Sequence, residues 1–261
     1  MDDLVSRRTV VKGIAAGLPL AAILADPNLA HAVAQTLEPV SIVTGGGRTV
    51  IGALAVPAKT PAPSVLVIHE WWGLNDQIKS VAAELAANGY LGLAVDLFGG
   101  TVATNDDEGA RLAQSVGADP DAAIDTLKSW IAWLKRNPRC DGHVATLGYC
   151  FGGGWSLNAS LAAPVDATVI YYGNVRKTAD QLRTLKGPVL LHYGLKDQYV
   201  TTAMVEGFEA EARKAGKSVT VYAYDANHAF ANPTGASFPY VKDAAEQAWA
   251  RTIAFLKVND K

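Results

Sequence analysis

Thr146-Leu147-Gly148-Tyr149-Cys150-Phe151-Gly152-Gly153-Gly154 decides how the chain folds. The run from His143 to Leu147 reads as a buried strand that enters this stretch. A helical run from Phe151 to about Ala162 leaves it. Between them stands Gly148-x-Cys150-x-Gly152, the nucleophile-elbow pattern with cysteine in place of the usual serine. A strand that turns at once into a helix strains its corner residue. A Cβ on either flanking position would collide with the strand or the helix. The corner side chain is lifted above the sheet, at a helix N-terminus, where the dipole and free N–H groups favour a thiolate.

Other readings of the motif are weaker. A Gly-rich strand-to-helix turn also serves dinucleotide sites, but the spacing is not G-x-G-x-x-G. The nearest downstream acid, Asp166, precedes the next strand instead of ending it. Cysteine is also a common core residue. The elbow gains weight only if a base and an acid follow in the right order.

Outward from the elbow, the chain alternates strand and helix. Residues 39–44 and 49–56 alternate as half-buried strands around Gly45-Gly46-Gly47. Residues 64–69 form a continuous apolar run, as expected of a strand covered on both faces. It ends in Glu70-Trp71-Trp72-Gly73-Leu74-Asn75, and Asp76 is expected to cap a helix to about residue 87. Strands follow at 90–95, 167–172, 189–192 and 218–224. Helices are expected near 107–116, 121–136, 201–214 and 239–258. This alternation implies a mostly parallel central sheet with helices on both faces.

The chain's 261 residues suit one large α/β domain. Apolar residues make up 49% and charged residues 18%, which excludes a disordered chain. A formal net charge of −2 offers no basic field for nucleic acid, and no polybasic stretch marks a membrane surface. Residues 1–32 are expected to lie outside the fold. Arg7-Arg8 precede an apolar run from Gly13 to Ala25, too short to span a bilayer, and Ala30-His31-Ala32 has the form of a cleavage site. They read as a twin-arginine export signal, so residues 33–261 are the expected domain. That domain is expected in the periplasm or outside the cell, with the twin-arginine machinery as transient partner and no lasting membrane anchor. His31 is then discarded with the leader. Cys140 and Cys150 flank one strand of about 20 Å, too far apart for a disulfide.

In a sheet of this kind functional residues sit at the carboxyl ends of strands. Glu70 ends one strand and Cys150 another. Asp197 follows the strand ending at His192, and His228 follows the last strand. Nucleophile, acid, histidine is the chain order of the α/β-hydrolase fold. The chemistry asks for these types: a thiol needs a base, His228, and the imidazole needs Asp197 to fix its tautomer. The backbone N–H groups of Phe151 and Trp71 are the expected oxyanion hole. His69 and His192 read as satisfied core histidines and His143 as a surface residue. No metal-ligand spacing is present, and neither metal nor cofactor is expected.

At this point the chain resembles the dienelactone hydrolase family. The residues that carry the resemblance are Val67-Ile68-His69-Glu70-Trp71-Trp72-Gly73-Leu74-Asn75, Asp96-Leu97-Phe98, Gly148-Tyr149-Cys150-Phe151-Gly152-Gly153, Tyr171-Tyr172-Gly173, the Asp197 loop and Asn227-His228-Ala229-Phe230. The resemblance implies a Cys150, Asp197, His228 triad that hydrolyses esters or lactones. It also implies that Glu70 holds the resting thiol until substrate displaces it. One departure is visible. Members that open dienelactones grip the substrate carboxylate with arginines, whereas Phe98-Gly99-Gly100-Thr101 and Phe230-Ala231-Asn232-Pro233 contain none. Trp72, Phe98, Tyr172 and Phe230 are therefore expected to line an uncharged aromatic pocket for a small ester or lactone. A non-catalytic binding protein on the same scaffold is the alternative.

Overall fold

The computed structural model describes residues 20–234 and 237–260. One eight-stranded sheet organises it: β1 (Glu38–Val43), β2 (Thr49–Ala55), β3 (Ala62–Ile68), β4 (Leu91–Val95), β5 (Cys140–Tyr149), β6 (Ala167–Tyr171), β7 (Val189–Gly194) and β8 (Val219–Tyr224). The spatial order is β1-β2-β4-β3-β5-β6-β7-β8. β1 with β2 and β2 with β4 are antiparallel. Every later pairing is parallel. The sheet is thus mixed at one edge and parallel through its centre, as the alternation implied.

The helices are α1 (Leu20–Ala25), α2 (Pro27–Ala34), α3 (Asp76–Ala87), α4 (Asp106–Ala118), α5 (Pro120–Arg136), α6 (Phe151–Ala162), α7 (Ala179–Leu182), α8 (Thr202–Ala215) and α9 (Lys242–Asn259). Strand periodicity assigns them to faces. Val65, Val67, Leu147 and Val169 pack with Ile78, Val81 and Leu85 of α3 and Ile253 and Leu256 of α9. Leu66 and Ile68, one residue out of phase, pack with Leu127, Trp130 and Leu134 of α5 and Ala159 of α6. β3 and β4 are buried almost throughout, which explains their lack of alternation.

Local chemistry fixes the helix ends. α3 is capped by Asn75, whose side chain accepts from Ile78 N at 3.1 Å, while the expected cap, Asp76, is its first residue. α5 starts at Pro120 after the Asp119 cap. α8 stops at Gly216 in the left-handed conformation. β5 runs three residues further back than the expected strand, and Cys140 and Cys150 are both free, one at its start and one just past its end.

The N-terminal segment departs from expectation. Arg7 and Arg8 lie outside the described residues, but residues 20–34 do not stand off the core. Ile23, Ala30 and Val33 are buried and pack with Ala83 of α3. Ser80 Oγ donates to Ala30 O at 3.3 Å, and His31 Nδ1 lies 2.8 Å from Asp76 Oδ2. The apolar run of residues 20–34 gains by covering the apolar surface α3 offers it. No helix among the described residues is long and apolar enough to cross a membrane.

Candidate active site

Cys150 sits between β5 and α6 at φ 53° and ψ −115°. Glycine is required on both sides of it. A Cβ on Gly148 would meet Gly152 O at 1.9 Å, and one on Gly152 would meet Ile68 O at 2.3 Å. Only three non-glycine residues among those described have positive φ: Cys150, Tyr172 and Ala229. Each such residue costs about 1–3 kcal/mol, and strain of this kind collects at functional sites. Cys150 follows β5, Tyr172 follows β6 and Ala229 follows His228, so the three gather at one end of the sheet.

Three of the expected residues form a continuous chain of hydrogen bonds. His228 Nε2 lies 3.0 Å from Cys150 Sγ. His228 Nδ1 lies 2.7 Å from Asp197 Oδ2. Asp197 is itself fixed, because its Oδ1 accepts from the N–H groups of Tyr199 at 2.8 Å and Val200 at 2.9 Å. Burial works against the imidazolium. The hydrogen bonds to Asp197 and Cys150 outweigh it and push His228 up to about 10.

Glu70 is 2% exposed, at the carboxyl end of β3. It makes no hydrogen bond with Cys150 among the described residues. Its Oε2 accepts from the side-chain amide of Asn232, and its Oε1 from Tyr172 Oη at 3.2 Å. Burial raises Glu70 to about 7, against the hydrogen bonds of Asn232 and Tyr172 and the charge of His228. The structure therefore places Glu70 beside the site but not on the thiol, where the resemblance put it.

An open cleft of about 1040 Å³ joins these groups. Glu70, Cys150 and His228 line it, with Trp71, Trp72, Phe151 and Tyr172. Phe151 is the first residue of α6, where a backbone N–H has no intrahelical partner. Phe98 and Phe230, expected in the pocket, stand outside it. Phe98 is 7% exposed and packs at 4.6 Å on His69 and 5.3 Å on Phe151. Phe230 is fully buried against Tyr172 and Tyr224. Both lie one layer below the surface, propping residues that do face the cleft.

Sequence reasoning missed Tyr199 and Phe238, whose rings lie 5.1 Å and 5.4 Å from the His228 ring. It also missed Asn232 as a partner of Glu70. These residues lie in loops without periodicity; only their nearness in sequence to Asp197 and His228 could have pointed to them. Arg176 and Lys177 also line the cleft, whereas Lys196 is paired with Asp225 at 2.8 Å outside it.

The other histidines are structural. His69 Nδ1 lies 2.5 Å from Glu70 O and its Nε2 accepts from Leu97 N at 3.0 Å, so the ring is neutral, and burial lowers it further. His192 bridges Tyr224 Oη and Thr252 Oγ1 at 2.9 and 3.1 Å. No group of three or more His, Cys, Asp or Glu that could hold a metal ion occurs among the described residues.

Comparison with known proteins shows the family. The dienelactone hydrolase family pattern matches residues 50–259. A carboxymethylenebutenolidase of Pseudomonas sp. (strain P51) is 32% identical over 222 residues, covering 82% of this chain and 91% of its own. A carboxymethylenebutenolidase of Pseudomonas putida is 30% identical over 234 residues, covering 84% and 95%. Among solved structures, a dienelactone hydrolase-like promiscuous phosphotriesterase from metagenomic libraries superposes with a TM-score of 0.79. It is 24% identical and covers 86% of this chain and 99% of its own, which bears on the fold alone. With the family pattern spanning the sheet from β2 to α9 and the elbow, acid and histidine in order, the chain belongs to the dienelactone hydrolase family and is a hydrolase of the α/β-hydrolase fold.

Proposed function

We propose that the chain hydrolyses uncharged carboxylic esters or lactones through Cys150, His228 and Asp197. The observation that carries this reading is the unbroken Cys150–His228–Asp197 connection, at 3.0 and 2.7 Å. The sulfur, with its proton on His228, attacks the carbonyl carbon. A C–S bond forms and the π electrons move to oxygen, where the N–H groups of Phe151 and Trp71 receive them. The imidazolium then gives its proton to the departing alkoxide as the C–O bond breaks. In an ester the alcohol leaves, and in a lactone it stays tethered to the acyl thioester. His228 next takes a proton from water, the hydroxide oxygen attacks the thioester, and the carboxylic acid departs as the C–S bond breaks. Asp197 holds the imidazole in register at each step.

The relatives' name, carboxymethylenebutenolidase, describes enzymes acting on a carboxylated lactone. Here the two stretches that would supply arginines hold Gly99, Gly100 and Asn232, and the Asn232 amide is engaged with Glu70. Trp71, Trp72, Tyr172, Tyr199 and Phe238 make much of the cleft wall aromatic. An uncharged acyl substrate suits it best. Rapid mixing with a chromogenic short-chain ester tests the mechanism. A burst equal to one acyl group per Cys150 is expected, with none in Cys150→Ala; full turnover by that variant would overturn the reading.

We also propose that residues 33–261 are the exported form, delivered by the twin-arginine machinery. The support is Arg7-Arg8, the apolar run and Ala30-His31-Ala32. N-terminal sequencing of exported protein should begin at Val33, and an intact Met1 would overturn it.

A further inference from the structure

The cleft is larger than a short ester needs. Its volume of about 1040 Å³ lies at the top of the range for small-molecule sites. Its floor is one face of α6, since Phe151, Gly154, Trp155 and Asn158 all line it at helical spacing. With a rise of about 1.5 Å per residue, Asn158 stands about 12 Å along the helix from Cys150.

The segment after β6 runs beside α6 in the same direction. Asn174 lies against Gly154, where an added Cβ would sit 3.4 Å from Asn174 O. Val175 packs in one cluster with Leu157, further along the helix. Arg176 and Lys177 follow, and both line the cleft. The Asn174 side chain fixes the turn between them, because its Oδ1 accepts from Arg176 N at 3.0 Å.

Neither cation is neutralised. The side chains of Arg176 and Lys177 make no ion pair among the described residues, and the acids of the next elements are engaged elsewhere, Asp180 with Arg183 and Glu211 with Lys214. Two carboxylates line the cleft. Asp106 accepts from Ser237 Oγ at 3.0 Å, and Glu70 accepts from Asn232 and Tyr172. Lys177 is half-buried, and burial with no anion beside it lowers its pKa. A guanidinium can take both oxygens of a carboxylate, an ammonium adds a second charge, and the amides of Asn158 and Asn174 on the same cleft can donate. We propose that the substrate is an ester or lactone that is uncharged where it meets the triad and carries a carboxylate about 10 Å away, held by Arg176 and Lys177. Resting on ester hydrolysis at Cys150, this adds a remote anchor to the uncharged group at the triad. At about a Debye length from the scissile carbonyl, the anchor also stands clear of Glu70.

The probes are the p-nitrophenyl half-ester of suberic acid, whose extended chain matches this span, and 7-acetoxyheptanoic acid, which carries the carboxylate on the alcohol side. Each is compared with its methyl ester on the full-length protein at about pH 8, above the Glu70 titration. In at least one pair the acid should exceed the methyl ester in kcat/KM by about tenfold. The p-nitrophenyl half-ester of succinic acid, whose carboxylate cannot leave the triad, should show no such preference. Arg176→Gln and Lys177→Gln should each cut the preference severalfold, and raising the salt from about 0.05 to about 0.5 M should shrink it. Lys196→Gln, whose ammonium is paired with Asp225, should keep it. Hydrolysis of p-nitrophenyl butyrate with no preference for either long acid would overturn the proposal and leave the triad standing. A preference that survives both Arg176→Gln and Lys177→Gln, that Lys196→Gln removes, or that the succinic half-ester shares would overturn it too. Absence of butyrate turnover would overturn the reading at Cys150 and this proposal with it.

Discussion

Asn232 donates a side-chain hydrogen bond to Oε2 of Glu70, and this turns the buried carboxylate toward an amide and a phenol instead of toward the thiol. Cys150 is left to His228. The Cys150–His228 contact is thus made with Glu70 held off the thiol. Asn232→Leu should undo this. The carboxylate keeps Tyr172 but loses one partner, and a buried acceptor left short costs about 1–3 kcal/mol, so Glu70 should turn to the thiol that shares the cleft with it. Ester turnover and iodoacetamide inactivation should both slow by about tenfold. Glu70→Gln in the same background should restore the alkylation rate. Unchanged alkylation in Asn232→Leu would show that Asn232 does not hold the carboxylate back.

The same burial makes Glu70 a source of pH-dependent stability. Its pKa rises from 4.5 to about 7 on folding. A carboxyl raised in the folded state binds its proton more tightly there than in the unfolded chain. Its favourable contribution is complete below pH 4.5 and is lost as pH climbs to about 7. The span corresponds to roughly 3 kcal/mol at 1.36 kcal/mol per unit. Glu84 is also raised to about 7 by burial, so wild type must be compared with Glu70→Gln, in which Glu84 is unchanged. Between pH 4.5 and 7.5 the stability of wild type should fall relative to the variant in urea titrations. Parallel curves would mean that Glu70 titrates as an ordinary carboxyl.

His228, pushed up to about 10, carries its proton across the neutral range, and its loss should be visible as a pH profile. Iodoacetamide inactivation at neutral pH should be slowed by about tenfold or more in His228→Ala, because the sulfur loses the partner that takes its proton. Asp197→Asn should keep substrate binding while lowering kcat by about 10²-fold or more, because the imidazole loses its orientation. The losses in the double variant should be less than additive.

Legibility in the sequence followed the physics of each part. Gly148 and Gly152 announced the elbow because no other residue fits between β5, α6 and β3. The buried strands showed as unbroken apolar runs, and their order placed Asp197 and His228 at neighbouring strand ends. Phe98 and Phe230 misled, since an aromatic next to a functional residue looks the same in sequence whether it faces the cleft or supports it from below. The Glu70–Asn232 bond was not legible either. It joins residues 162 positions apart through side chains in two loops, and no periodicity encodes such a contact.

α1 and α2 supply a test of how much the fold depends on them. Leu20 and Leu24 join the main core, and Ile23 and Ala30 cover Ala83 of α3. Each large apolar side chain withdrawn from that contact forfeits about 1.5–3 kcal/mol of burial, less the entropy of ordering the segment. A chain of residues 33–261 should therefore fold cooperatively, because the sheet and the helices from α3 onward are complete within it, but melt a few degrees below the full chain. Calorimetry on both forms measures this. Failure of the shorter chain to fold would make residues 20–32 part of the domain and count against their removal on export.

Substrate charge is the sharpest test of how this chain differs from its relatives. A bidentate guanidinium grip on a carboxylate is strong and geometrically specific, and glycine or a committed asparagine amide cannot replace it. Gly99 and Gly100 have no side chain to offer, and Asn232 is already engaged with Glu70. An anionic group near the triad would also face the carboxylate of Glu70, itself 2% exposed and poorly screened. A methyl ester should therefore exceed its free-acid analogue in kcat/KM by about tenfold or more at pH 8, above the Glu70 titration. The preference should shrink below pH 6, where Glu70 is protonated and the repulsion is gone. Should the acid be favoured instead, Arg176, which lines the cleft with Lys177, offers the bidentate guanidinium that could grip it. Arg176→Gln would then abolish the preference, whereas Lys196→Gln, outside the cleft and paired with Asp225, would leave it intact.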